Sequence, residues 1–278
     1  MTITQPSGAA APTPPPRLDL TGYVLDFDED FAGPELDVSR WLPYYLPQWS
    51  SREASAARYG IADGRLTLRV DADQPPWHPE LDGATRVSSL QTGLFAGPVG
   101  TPIGQHRFHP AAVVREPQAT QRLYTPERGV VELRAAATRD PDATVALWMI
   151  GFEDSPERSA EICVCEIFGR DLESGSVAVG VGLHPFGDPD ITDDFRADRH
   201  AIDATEMHSY AVEWTESYVA FYLDHALVRV VHQSPRYPMQ LMLNIYDFGD
   251  PARDPHRYPK EFVVEHVRGY RPASPPRL

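Results

Sequence analysis

Two carboxylates stand five positions apart in the segment Ser159-Ala-Glu161-Ile-Cys163-Val-Cys165-Glu166-Ile-Phe168-Gly169. On a regular strand Glu161, Cys163 and Cys165 share one face, and Glu166 turns to the other because five is an odd number of steps. A β-bulge, one extra residue at Val164–Cys165, returns Glu166 to the face of Glu161 and Cys163. Two carboxyls held about 5–5.5 Å apart across a groove can run a double displacement at a sugar's anomeric carbon: one attacks, while the other protonates the leaving oxygen and then activates water. The same spacing fits two acids on the solvent side of an ordinary strand. Ile162, Val164, Ile167 and Phe168 weigh against that reading, since they mark a buried central strand where an unpaired charge is costly.

The elements that must position this segment read as short strands. Arg65-Leu-Thr-Leu-Arg-Val70, Val130-Val-Glu-Leu-Arg-Ala135, Val177-Ala-Val-Gly-Val181 and Tyr210-Ala-Val-Glu-Trp214 alternate with period two. Residues 219–231 predict a hairpin turning at Asp224-His225, with His225 at positive φ. With 28 prolines and 19 glycines punctuating many such runs, the pattern predicts an all-β fold, a large antiparallel sandwich of the jelly-roll kind. A length of 278 residues suits one such domain, assigned to residues 18–270. The Pro/Ala-rich residues 1–17 and the tail 271–278 have little to bury and are expected to be disordered. The composition, 42% hydrophobic and 23% charged, excludes collagen, coiled coils and wholly disordered chains.

A net charge of −15 argues against nucleic acid or an anionic membrane as partner and favours a neutral ligand. No apolar run approaches the roughly 18 residues of a membrane helix. The N-terminus lacks the basic start and apolar stretch of a secretion leader, so a cytoplasmic location is expected, or a secreted one if a leader was removed. On a regular strand Cys163 and Cys165 would lie about 6.5–7 Å apart, too far for a comfortable disulfide, so reduced thiols are expected.

The sequence resembles glycoside hydrolase family 16, the clan of laminarinases and lichenases, whose bulged signature is Glu-x-Asp-x-x-Glu. Phe27-Asp-Glu-Asp-Phe31, Glu35-Leu-Asp-Val-Ser-Arg-Trp41 and Asp63-Gly-Arg-Leu-Thr-Leu68 look like the family's opening strands. Gly129-Val-Val-Glu-Leu-Arg134 and Ala146-Leu-Trp-Met-Ile150 look like the strands before the glutamates. His208-Ser-Tyr-Ala-Val-Glu-Trp-Thr215, Phe221-Tyr-Leu-Asp224 and Pro238-Met-Gln-Leu-Met-Leu-Asn244 are similar to its closing hairpin and final inner strand. The resemblance, over roughly residues 25–265, implies a concanavalin A-like jelly roll with Glu161 as nucleophile and Glu166 as general acid/base. It implies an endo-acting, retaining hydrolase of a neutral β-glucan, 1,3-linked ahead of other kinds, working as a monomer on a polysaccharide or oligosaccharide. Cys163 departs from the pattern, which has aspartate there. A thiol is a weak hydrogen-bond partner and brings no negative charge, so the repulsion that would raise the proton affinity of Glu166 is reduced.

Around the pair, the resemblance places Trp148 against the sugar at the cleavage point and His184 near the acid/base. The loop Trp41–Arg52 has the composition of a sugar-binding loop, giving Trp49 and Arg52 as candidates. Gln91, Gln105 and His106 suit hydroxyl recognition, and alternation sets Gln240 and Tyr246 on the cleft side of the last inner strand. His208 and Trp214 read as core. The insert from about Asp71 to Thr125 is longer than a strand connection needs and is expected to wall one end of the cleft. No cofactor is expected. Calcium at the acidic loop 188–194 and a metal on Cys163 and Cys165 are alternatives without an ordered ligand motif. Two other functions remain open: a carbohydrate-binding protein with impaired turnover, and an intracellular enzyme acting on a glycosylated small molecule.

Overall fold

The structure is a computed structural model, and it describes residues 13–249 and 254–273. In chain order its strands are β1 (Tyr23–Glu29), β2 (Arg58–Ala62), β3 (Arg65–Val70), β4 (Arg86–Gln91), β5 (Gly93–Leu94), β6 (Gln121–Arg122) and β7 (Gly129–Ala136). There follow β8 (Ala143–Gly151), β9 (Glu161–Phe168), β10 (Leu172–Glu173), β11 (Ser176–His184) and β12 (Asp194–His200). The last are β13 (His208–Trp214), β14 (Val219–Leu223), β15 (Ala226–Val231), β16 (Met239–Asp247) and β17 (Lys260–Pro272). Among the described residues the only α-helical turn is Pro79–Asp82.

Two antiparallel sheets make the jelly-roll sandwich. The outer sheet runs β15-β14-β13-β7-β17-β3-β2, with β1 also paired to β17. The inner sheet runs β10-β11-β9-β8-β16-β4, with β12 also paired to β11. Between them Leu66, Leu68, Leu133, Val212 and Phe221 of the outer sheet pack against Val145, Leu147, Ile162 and Leu243 of the inner one. Toward the margin of the outer sheet, β3 alternates exposed and buried positions because one of its faces meets solvent. β8 is instead buried at every position. Val145, Leu147 and Met149 enter the core between the sheets. Ala146, Trp148 and Ile150 point the other way, into a second apolar cluster formed with Tyr45, Trp49 and Trp77. Loops therefore roof part of the inner sheet's free face.

The insert 71–125 is only partly loop. Its Ser89-Leu-Gln-Thr-Gly93 stretch belongs largely to β4, which pairs with β16 from Met242↔Gln91 to Asp247↔Arg86. The predicted hairpin is present, with Asp224 at φ 47 and His225 at φ 62. Both central residues in the left-handed region match the twist that two-residue hairpins require. The expected disordered lead-in is corrected at its end: Leu227 N donates to Pro16 O at 3.0 Å, and Arg17 bridges Ala226 on β15. The remainder of that call, residues 1–12, and residues 274–278 of the tail lie outside the described residues. Residues 271–273 are ordered, with Ala273 N donating to Gly22 O at 2.7 Å.

Candidate active site

The register of β9 decides where its acids point. Against β8 it reads Ile150↔Glu161 and Trp148↔Cys163, then shifts so that Leu147 meets Cys165 and Ala146 meets Glu166. Val164 is the extra residue. Val164 and Cys165, neighbours in sequence, both enter the core between the sheets, which a regular strand forbids. In consequence Glu161, Cys163 and Glu166 all line one cavity of about 290 Å³ on the free face of the inner sheet. The two cysteines are divided, Cys163 to the cavity and Cys165 to the core, so they share neither a face nor a metal site. Both thiols are free.

The neighbours of the acids follow from the same registers. Glu166 lies between Ala146 on β8 and Gly180 on β11. The small side chain of Ala146 leaves room beside it on the cavity side. Cys163 lies between Trp148 and Gly182, and its thiol donates to Gly180 O at 3.6 Å rather than to either carboxylate. Glu161 lies between Ile150 and His184. Gly182 has φ 148, and a Cβ there would stand 2.2 Å from Asp194 O, so only glycine fits. The space left by Gly180 is taken by Phe195, whose ring stacks on His184 with centroids 4.9 Å apart. His184 Nδ1 is 2.8 Å from Asp193, which fixes the imidazole beside the acids.

Burial pushes the Glu161 carboxyl up to about 8, with the charge of Glu166 adding to the shift. Glu166 is raised by burial as well, but His184 and Arg170 oppose the rise. Burial and both glutamates raise the Cys163 thiol well above its ordinary value, so it stays neutral. Of the two carboxyls, Glu161 is thus the one that burial keeps protonated near neutral pH. Tyr246 closes the cavity floor, sharing a hydrogen bond with Tyr45. Trp148 Nε1 donates to Asn244 Oδ1, which sets the indole plane in the cavity wall.

Of the residues read as sugar contacts, Trp148, His106 and Tyr246 line the cavity, and His184 flanks it. Five others lie outside the lining. Trp49 is fully buried, its Nε1 donating to Gln105 O at 2.8 Å. Arg52 is engaged by Gln118 and lies over the Tyr44 ring. Gln91 ties Leu46 N to Gly93 O, while Gln105 ties Phe95 N to the side chain of Gln240. Gln91, Gln105 and Gln240 are each 0% exposed, so their amides fasten loops to the sheet and leave nothing for a ligand. The residues missed are Tyr45, Trp77, Asp82, Thr85, Phe108 and Phe248, all in the lining. Tyr45 sits in the loop singled out for its aromatic content, and Trp77 to Phe108 come from the insert expected to wall the cleft. Nothing in the local sequence distinguishes Phe248.

The acidic loop gathers no cation site. Asp188 accepts from Tyr237 at 2.6 Å, Asp193 faces His184, and Asp194 pairs with Arg229. Among the described residues no group of three His, Cys, Asp or Glu side chains is placed to hold a metal ion.

A jelly-roll sandwich carrying two half-buried carboxylates on the open face of its inner sheet is the scaffold of a glycoside hydrolase. The chain belongs to glycosyl hydrolases family 16, whose profile matches residues 124–263. Among solved structures it is similar to a GlcNAcα1-4Gal-releasing endo-β-galactosidase from Clostridium perfringens, at 29% identity with a TM-score of 0.77. That match covers 94% of this chain, which spans 65% of the other. A laminarinase from Flavobacterium sp. UMI-01 matches at 19% identity and a TM-score of 0.61, covering 89% of this chain and all of its own. A non-specific endo-β-1,3(4)-glucanase of the family matches at 18% identity and a TM-score of 0.62, covering 96% of this chain and 98% of its own. No curated protein matches the chain.

Proposed function

We propose that the chain is a retaining, endo-acting β-glycosidase in which Glu161 attacks the anomeric carbon and Glu166 protonates the departing oxygen, then activates water. The observation that carries this reading is the bulge at Val164, which turns both acids into one cavity. The resting proton favours Glu161, whereas the reaction needs it on Glu166. Bound substrate supplies the difference: the leaving oxygen takes a hydrogen bond from Glu166, and positive charge growing at the anomeric carbon stabilises ionised Glu161. Trp148 offers an apolar face to the pyranose ring at that point.

For the substrate, the 29% identity with the endo-β-galactosidase favours a β-galactoside within a glycan chain. The bulged motif, read on its own, favours 1,3-linked β-glucan, and this second reading is kept because laminarinases share the fold. The test is incubation with β-1,3-glucan, β-galactan and mucin-type glycans, with reducing ends counted and the first anomer identified by NMR. Release of a β-anomer is expected. Saturable binding without release would reduce the protein to a carbohydrate-binding module, and inertness toward every polymer would shift the reading to a small glycoside.

The shared proton sets a pH dependence. With both acids protonated Glu161 cannot attack, and with both ionised Glu166 has no proton to give, so kcat/KM is bell-shaped with two limbs that belong to the pair. The alkaline limb is expected near pH 8, where the raised carboxyl loses its proton. A rate that stays level well above that pH would contradict the assignment.

Cys163→Asp tests the one departure from the family motif. A carboxylate beside the pair disfavours the fully ionised form, so the proton is held to higher pH and the alkaline limb moves upward. An increase in kcat is expected above about pH 8, where the parent pair has lost its proton and the variant keeps it. An unchanged profile would show that position 163 does not govern the proton.

A further inference from the structure

A second hollow adjoins the carboxylate cavity. It measures about 870 Å³, some three times the first, and is bordered by Phe95, Ile103, Glu153 and Phe186. The two have His106 and Phe108 in common. The His106 ring stands edge-on between Trp148 of the cavity, 5.0 Å away, and Phe186 of the groove, 4.9 Å away. Its backbone N–H donates to Glu153 Oε1 at 2.6 Å.

This wall is held in an unusual backbone. His106 has φ 46, Glu153 φ 55 and Phe186 φ 43, so three non-glycine residues in the left-handed region meet here. Each is unfavourable relative to ordinary backbone, and such a cluster persists only where the surroundings enforce it. Burial keeps the ring neutral, lowering His106 to about 4, and raises Glu153 to about 8. Beyond the wall most polar groups are engaged: Asp154 with Arg122 and Arg158, and Ser159 with Gly187 N. Ile103 and Phe186 remain half exposed. They present apolar faces of the kind that meet the C–H side of a sugar ring.

We propose that His106 is a partition that sets how many units of a β-linked oligosaccharide the site admits, and that Glu153 is the residue positioning it. The inference rests on the glycosidase reading above. With the ring in place, the substrate ends against it. With the ring removed, cavity and groove become one channel.

Glycine at position 106 removes the ring and accepts the left-handed backbone without strain. Binding of β-1,3-linked glucose oligomers and β-linked galactose oligomers, from disaccharide to hexasaccharide, would be measured by calorimetry in a Glu161→Gln background. In the chain with His106 intact, affinity is expected to stop rising at a short length. In His106→Gly it continues to rise, with the hexasaccharide bound on the order of tenfold more tightly than by the intact wall. Glu153→Ala frees the loop and gives a weaker form of the same change. Glu153→Gln, which keeps an acceptor for the His106 N–H, restores the original length profile. Should His106→Gly fail to fold, the Glu153 pair carries the comparison. An unchanged length profile in His106→Gly, or in Glu153→Ala where that variant stands in, overturns the partition. Absence of binding by every variant strikes the glycosidase reading itself.

Discussion

Glu161→Gln is expected to lower kcat on the order of 10³-fold or more against every substrate, because the amide cannot form the glycosyl-enzyme bond. Glu166→Gln should separate from it by leaving group. On a natural glycan, whose leaving alcohol needs a proton, the loss is on the order of 10²–10⁴-fold. On an aryl glycoside with an acidic phenol, the glycosylation step needs little help and most of that loss disappears, leaving slow deglycosylation and a burst of phenol. The amides match the acids in size, so folding is preserved and the burst can be read directly. Equal losses for both variants across both substrate types would sink the division of roles.

The second large effect concerns the only lysine in the chain. Lys260 Nζ is 1% exposed and lies 2.8 Å from Asp247 and 3.0 Å from Asp140. Burial works to raise the Asp247 carboxyl, but hydrogen bonds from Lys260, Tyr258 and Gly249 N outweigh it and hold the group below the usual carboxylate range. Arg257 adds a second bridge to Asp140 and Asp142. This cluster fastens the end of β16, where Tyr246 and Phe248 meet the cavity, to the start of β17. Lys260→Met takes the buried ammonium away from Asp247 and Asp140 and is expected to destabilise by about 3–5 kcal/mol, measured by chemical denaturation. Adding Asp247→Leu removes the buried negative charge that Lys260 had balanced and should recover a large part of the loss. A single variant as stable as the parent would show that the pair contributes nothing.

The parts legible in the sequence were those governed by local periodicity. Alternation marked most of the strands, and Asp224-His225 marked its hairpin because a two-residue turn tolerates few residue types. The odd spacing of Glu161 and Glu166 even located the bulge, since apolar neighbours on both sides left no other way to turn the acids into one groove. What local pattern could not show was which polar loop residues would be used up inside. Gln91, Gln105 and Gln240 look like ligands for hydroxyl groups until the roof over the inner sheet is built, and then they are its fastenings. β4 escaped notice for a related reason. Buried on both faces, its Ser88 and Gln91 bond backbone partners rather than solvent, so the strand shows no alternation of polarity. Glu153 went unremarked because its importance comes from His106, distant in the chain.

Val164 has a consequence for how this lineage could change. Excising that one codon leaves Glu161 and Glu166 four positions apart, and four is an even number of steps, so a regular strand would still deliver both to the groove. What shifts is the offset of the acids along the strand and the local twist, together with one methyl-bearing side chain lost from the interior. Insertion and deletion at this point are therefore a route by which the gap between the acids can drift without either of them ever being turned away from solvent.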